Sequence, residues 1–175
     1  MVSRRERVRN DAMTKHGTRG VLVFPVGDVY FGAQVEEVAG LIDADRLAPL
    51  PRQHGALAGV VAFRGAMVPV LDLCAVLDYE WPTPSTSRYA IVLARGAERF
   101  ALLIPSLPRI VSARELRESD PSGEDEFGSL VEAVYQTGDK TVHCLTYWSI
   151  FESIVSPSGA DRAGRGVANG GSNHG

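Results

Sequence analysis

The thiols of Cys74 and Cys144 and the imidazole of His143 are the side chains best equipped for chemistry in this chain. A thiol beside an imidazole supplies the parts of a nucleophilic pair or of a soft metal site. Their placement argues against both. His143 and Cys144 fall in the alternating run Lys140–Leu145, where adjacent side chains point to opposite faces. The two therefore cannot aim at one site, and Val142, Cys144 and Thr146 share a face instead. This pattern describes a buried structural cysteine beside an exposed histidine. The cysteines also lack the C-x-x-C spacing of a structural zinc site or a disulfide framework. No G-x-S-x-G elbow, H-E-x-x-H helix or phosphate-binding loop occurs. Gly164-Arg165-Gly166 opens like a dinucleotide fingerprint, but Asn169 stands at the third glycine position and no strand precedes it. The expectation is a non-enzymatic protein with no cofactor and no metal. The enzymatic alternative is a small β-barrel hydrolase using Cys74 or His143.

Arg64 is a different kind of candidate. Val60, Val61 and Phe63 precede Arg64-Gly65, and Met67, Val68 and Val70 follow, so two β-prone runs meet at a turn whose glycine can take positive φ. The turn presents a guanidinium, whose fork of donors can grip a carboxylate in two places. A local acid such as Asp72 is the alternative partner. Pro69 lacks an N–H, which predicts an edge strand or a strand ending at that residue.

Short apolar or alternating runs recur at Val21–Val26, Val29–Val35, Ala58–Phe63, Ala66–Val70, Arg88–Ala94, Arg99–Ile104, Arg109–Ser112, Ser129–Gln136 and Lys140–Leu145. Separated by turn residues, they predict an all-β sandwich or barrel. Short helical pieces are expected near Arg52–Leu57, Leu71–Leu77 and Tyr147–Ile154. The proline run Trp81–Pro84 divides the strands into two groups and reads as a connection between half-domains. Glu115–Glu126, with six acids and Pro121-Ser122-Gly123, reads as a solvent-facing loop.

With 175 residues, 45% of them hydrophobic, the chain is the size of one domain with a sizeable core. No run of eighteen apolar residues exists and no apolar stretch follows the first arginines, so direct membrane insertion is not expected and the cytoplasm is the simplest compartment. The net charge of −3 is unevenly spread. Residues 1–20 carry six Lys/Arg against two acids, and residues 21–155 carry ten against eighteen. Residues 1–20 and the Gly/Ser/Asn-rich residues 156–175 read as disordered tails around a domain at 21–155. A basic arm can touch nucleic acid, yet the acidic body lacks the basic, aromatic-studded stripe that nucleic-acid binding needs.

The stretch Gly59–Leu77, GVVAFRGAMVPVLDLCAVL, resembles the signature of the CheW-like domain family, a coupling module of bacterial chemosensory systems. Leu22-Val23-Phe24, Gly27-Asp28 and Phe31-Gly32 are similar to the opening strands of that family, and Leu145–Ile154 to its final short helix. The resemblance covers about Val21 to Val155. It implies two five-stranded SH3-like β-barrels packed over a shared core, with a recognition groove where they meet. It further implies an adaptor that joins the cytoplasmic tip of a methyl-accepting chemotaxis receptor to a CheA-type histidine kinase. Arg64 would lie on the partner-binding surface, with Val38, Leu41, Arg99 and Phe100 as further interface candidates, Arg99-Phe100 forming an edge of the groove. Gly40 replaces the acid of the family pattern, Ala62 an Asn, Cys74 an Arg and Pro105 an Asp. The alternative within this family is a diverged scaffold of a motility or pilus system without normal receptor binding.

Overall fold

Six of the seven residues of the first strand, Gly20–Val26, are buried, which a strand with one wet face would not show. The reason is that both of its faces meet apolar layers. Val21 and Val23 pack with Val111, Leu116, Val142 and Cys144, whereas Leu22, Phe24 and Val26 pack with Leu71, Ile91, Phe100 and Leu102. The same division recurs later in the chain. Ala90, Val92, Ala101 and Leu103 join a third cluster with Phe63, Val68 and Val70, while the intervening Ile91, Leu93, Phe100, Leu102 and Ile104 face the shared layer. Two barrel interiors and one core between them account for these unbroken apolar runs.

The computed structural model describes residues 18–50, 55–81, 88–119 and 126–156. Strands β1 (Gly20–Val26) and β2 (Val29–Gln34) are followed by a 3-10 turn, Val35–Glu37, and β3 (Val38–Asp43). Next come β4 (Leu57–Phe63), β5 (Ala66–Asp72), the one-turn helix α1 (Leu73–Val76), β6 (Tyr89–Arg95) and β7 (Glu98–Ile104). The chain closes with β8 (Arg109–Ser112), β9 (Arg117–Ser119), β10 (Val131–Thr137), β11 (Lys140–Leu145) and α2 (Tyr147–Val155). One sheet runs β8-β1-β2-β11-β10-β9 and the other β3-β6-β7-β5-β4. Each contains one parallel pair, β2 with β11 and β5 with β7, among antiparallel neighbours. The first barrel thus carries a sixth, three-residue strand beyond the five expected.

Several expectations change. The residues around Trp81 do not separate the barrels, because β5 before them and β6 after them belong to the same sheet. The chain crosses between sheets after β2 and again after β7. Pro69 sits inside β5, an interior strand, opposite Val60 of β4. The parallel pairing of β5 with β7 begins at Val70, so at Pro69 the strand has a neighbour on one side only and its missing N–H breaks no second ladder. Val38–Asp43 forms a strand that its Ala-Gly centre concealed, and β9 lies within the expected loop Glu115–Glu126, of which residues 120–125 are outside the described residues. Leu57 opens β4 instead of closing a helix, residues 51–54 lying outside the described residues. Gly20 belongs to β1 and Thr18 is already held by Glu36, so the domain starts before residue 21, while residues 1–17 and 157–175 lie outside the described residues.

Candidate partner-binding surface

β4 and β5 are antiparallel, β5 and β7 parallel, β7 and β6 antiparallel, and β6 and β3 antiparallel. This order brings the Arg64 turn, the β6–β7 turn and the start of β3 to one end of the second barrel. At that end Phe63 pairs with Ala66, and both turn residues take positive φ, 47° for Arg64 and 79° for Gly65. Such a turn matches the right-handed twist of the strands and favours Asn-Gly or Gly-Gly. An arginine in its first position carries a strain of about 1 kcal/mol. The Arg64 side chain leaves the turn exposed, its guanidinium carbon 4.9 Å from the centre of the Phe63 ring.

No acid among the described residues forms an ion pair with Arg64. Asp72 lies at the far end of β5 from Arg64, and Glu36 and Glu37, just ahead of β3, are engaged elsewhere. Asp72 caps α1 through the Ala75 N–H at 3.2 Å and accepts the Trp81 indole N–H at 2.9 Å. Glu37 pairs with Arg95 at 3.4 Å. Glu36 accepts from the Thr18 hydroxyl at 2.9 Å and from the Arg19 N–H. Its partial burial would raise its pKa, but the hydrogen bonds from the Arg19 and Glu36 N–H groups and from Thr18, together with the Arg19 charge, hold the carboxyl below its ordinary value.

The other candidates are distributed unevenly. Val38 and Leu41 lie on the edge strand β3, Val38 half-buried against the shared core and Leu41 41% exposed. Arg99 is exposed at the start of β7. Phe100 is fully buried, stacked on Phe151 at 4.4 Å and edge-on to Trp148 at 4.8 Å. Arg99 and Phe100 point to opposite faces of their strand, so Phe100 holds the barrels together and offers a partner no surface. An open groove of about 530 Å³ does lie between the barrels, lined by Ala56, Val76, Leu130, Ile150 and Ile154 with the hydroxyls of Ser129, Thr146, Ser149 and Ser153. It adjoins α1 and α2, at the opposite end of the second sheet from Arg64.

Three features of the Arg64 end escaped the sequence. Met67, 61% exposed across the hairpin from exposed Ala62, adds apolar surface beside the arginine. Phe63 lies directly against Gly40, where a Cβ would stand 2.8 Å from its ring. Arg95 stands over Trp148 at 4.6 Å. The Arg-Gly dipeptide, whose glycine can take positive φ, was the available signal for the first of these.

The thiols assemble no reactive group. Cys74 belongs to the shared core and Cys144 to the interior of the first barrel. Burial, with Asp72 nearby, pushes the Cys74 thiol up to about 11, and burial, with Glu132 and Glu37, pushes Cys144 up to about 12. His143 is half-buried between the rings of Phe31 and Phe127, at 6.2 and 5.3 Å, and is not the exposed residue that alternation suggested. No metal-binding cluster and no helix long and apolar enough to cross a membrane occurs among the described residues.

Two small barrels joined through one apolar core define the class of β protein to which this chain belongs. The chain belongs to the CheW-like domain family, whose pattern matches residues 20–154 and so spans both barrels. It is 26% identical over 141 residues to the chemotaxis protein CheW of Rhizobium meliloti (strain 1021), covering 79% of this chain and 90% of that protein. It is also 43% identical over 55 residues to protein FrzA of Myxococcus xanthus, covering 31% of this chain and 34% of that one. Its fold matches the scaffolding protein TtCheW from Thermoanaerobacter tengcongensis with a TM-score of 0.67 at 17% identity, over 77% of this chain and 88% of the other.

Proposed function

We propose that this CheW-family protein is a cytoplasmic, non-enzymatic adaptor that couples chemoreceptors to a CheA-type histidine kinase through protein contacts alone. The observation that carries this reading is the match across both barrels combined with a signature turn that leaves Arg64 exposed and without an internal ion pair among the described residues. An exposed guanidinium beside apolar surface suits a partner helix bearing a carboxylate, and moderate contacts of this kind gain strength when repeated in an array. The alternative is a scaffold of a motility system that has lost normal receptor binding. The local identity to FrzA and the glycine at position 40 favour it.

The test is reconstitution of purified chain, receptor signalling tip and kinase from the same organism. Kinase activity should rise when the chain is added and fall back with Arg64→Glu, whose melting curve should match the wild type. A chain that binds the kinase but never the receptor supports the motility scaffold, and one that binds neither sinks both readings. Thiol labelling separates the adaptor from the hydrolase alternative. Both buried thiols should react only on unfolding, whereas rapid labelling of native Cys74 would revive a catalytic role.

A further inference from the structure

We propose that Gly40 and Phe63 form a seat that presents Arg64 to a carboxylate on the partner, and that this pair determines which partners are accepted. The inference rests on the adaptor reading and names the chemistry of its contact. Phe63 is 8% exposed and packed among Val61, Val68 and Val70, so its ring is fixed by the barrel interior. One edge of the ring lies on the bare backbone of Gly40, where a Cβ would come within 2.8 Å of Cε2 and 2.9 Å of Cζ. Any side chain at position 40 must displace the ring, because both atoms belong to a rigid, enclosed group. The guanidinium stands over the same ring at 4.9 Å, and the left-handed conformation at 47° fixes the direction in which the side chain leaves the turn.

A guanidinium held over a ring by its charge, with no acid paired to it, keeps N–H donors for a bidentate acceptor. No acid among the described residues pairs with Arg64, so the acceptor comes from outside the chain. Exposed Ala62 and Met67 flank the turn, which makes the fitting partner a helical surface with one carboxylate beside small apolar residues. An acid at position 40 would both push Phe63 aside and neutralise the arginine. Glycine there is what keeps Arg64 available.

The test measures affinity of the full chain by calorimetry for two purified probes, a receptor signalling-tip hairpin and the kinase regulatory domain. For the probe that contacts Arg64, Arg64→Lys should weaken binding at least tenfold, since the charge stays and the fork is lost. Phe63→Leu should weaken it about tenfold although Phe63 is buried, with Phe63→Met as the substitute if the first variant fails to melt cooperatively. Gly40→Glu should bind about tenfold more weakly than the isosteric Gly40→Gln, and the gap should close when each is combined with Arg64→Gln. Equal affinity of Gly40→Glu and Gly40→Gln overturns the proposal, as does wild-type affinity in Phe63→Leu when Arg64→Lys has lost it. Wild type binding neither probe overturns the adaptor reading itself and this proposal with it. An inference wrong by itself shows instead as a wild type that binds and variants that do not discriminate.

Discussion

Two hairpin arginines stand at the same end of the second barrel, each over an aromatic ring, and they are held in opposite ways. Arg95, at the β6–β7 turn, lies over Trp148 of α2 and pairs with Glu37 ahead of β3, so it braces three segments. Arg64, at the β4–β5 turn, lies over its own neighbour Phe63 and pairs with no acid among the described residues. The ring beneath Arg95 continues into the shared core, since Trp148 meets Phe100 edge-on and Phe100 stacks on Phe151. The ring beneath Arg64 ends on a glycine. An arginine satisfied from within contributes to stability, while one left open in a strained turn is free for the recognition role proposed for it.

The largest effect should come from cutting the structural chain at its root. Phe100→Ala removes a fully buried ring from between the barrels and should destabilise the protein by about 3–5 kcal/mol in urea unfolding. A loss below about 1 kcal/mol would mean that the barrels do not depend on this layer, and Phe100 would return to the list of surface candidates.

Smaller and opposite effects are expected at the two arginines. Arg95→Gln loses one exposed ion pair and one cation–π contact, together about 1 kcal/mol, part of which 0.5 M salt should already remove. Partner affinity should stay within about twofold. Arg64→Asn replaces a residue strained at positive φ by one that tolerates it, and should raise stability by about 0.5 kcal/mol while abolishing most partner binding. Stability and binding moving together at both sites would erase the distinction between brace and recognition group.

Much of this was legible because hydrophobic runs and turn residues are local signals. The strands, the closing helix and the Arg64 turn follow from Val, Ile and Phe runs punctuated by glycine. The barrels were not legible from periodicity, because a strand such as Leu22–Phe24 feeds two cores from alternate residues and so shows no alternation at all. The assignment of Phe100 to a surface failed for a related reason, as β7 is apolar on both faces. Val38–Asp43 was missed because Ala39 and Gly40 weaken strand propensity, yet Gly40 is small in order to admit a ring that lies 23 positions further on. Contacts over such separations leave no local trace. The engaged state of Asp72, Glu36 and Glu37 was hidden in the same way.

The least conspicuous part of the comparison is the neighbouring pair Glu36 and Glu37, which divide their duties as the two arginines do. Glu37 serves the Arg95 brace, and Glu36 holds the entry of the chain at Thr18 and Arg19. A carboxyl held below its ordinary value of 4.5 in the folded state favours folding above the unfolded value, and that contribution disappears as pH falls through the lower, folded value. Wild-type stability should therefore decline below about pH 4.5 with a component that Glu36→Gln lacks. The variant should be slightly less stable near pH 7, and the two denaturation curves should converge in acid. Because Glu36 is exposed the gap will be small, so it is best read as the difference between paired titrations in low salt. Curves that stay parallel down to the lowest pH would show that Thr18 and Arg19 are held by the backbone bond from the Ala113 N–H to the Arg19 carbonyl and not by this carboxylate.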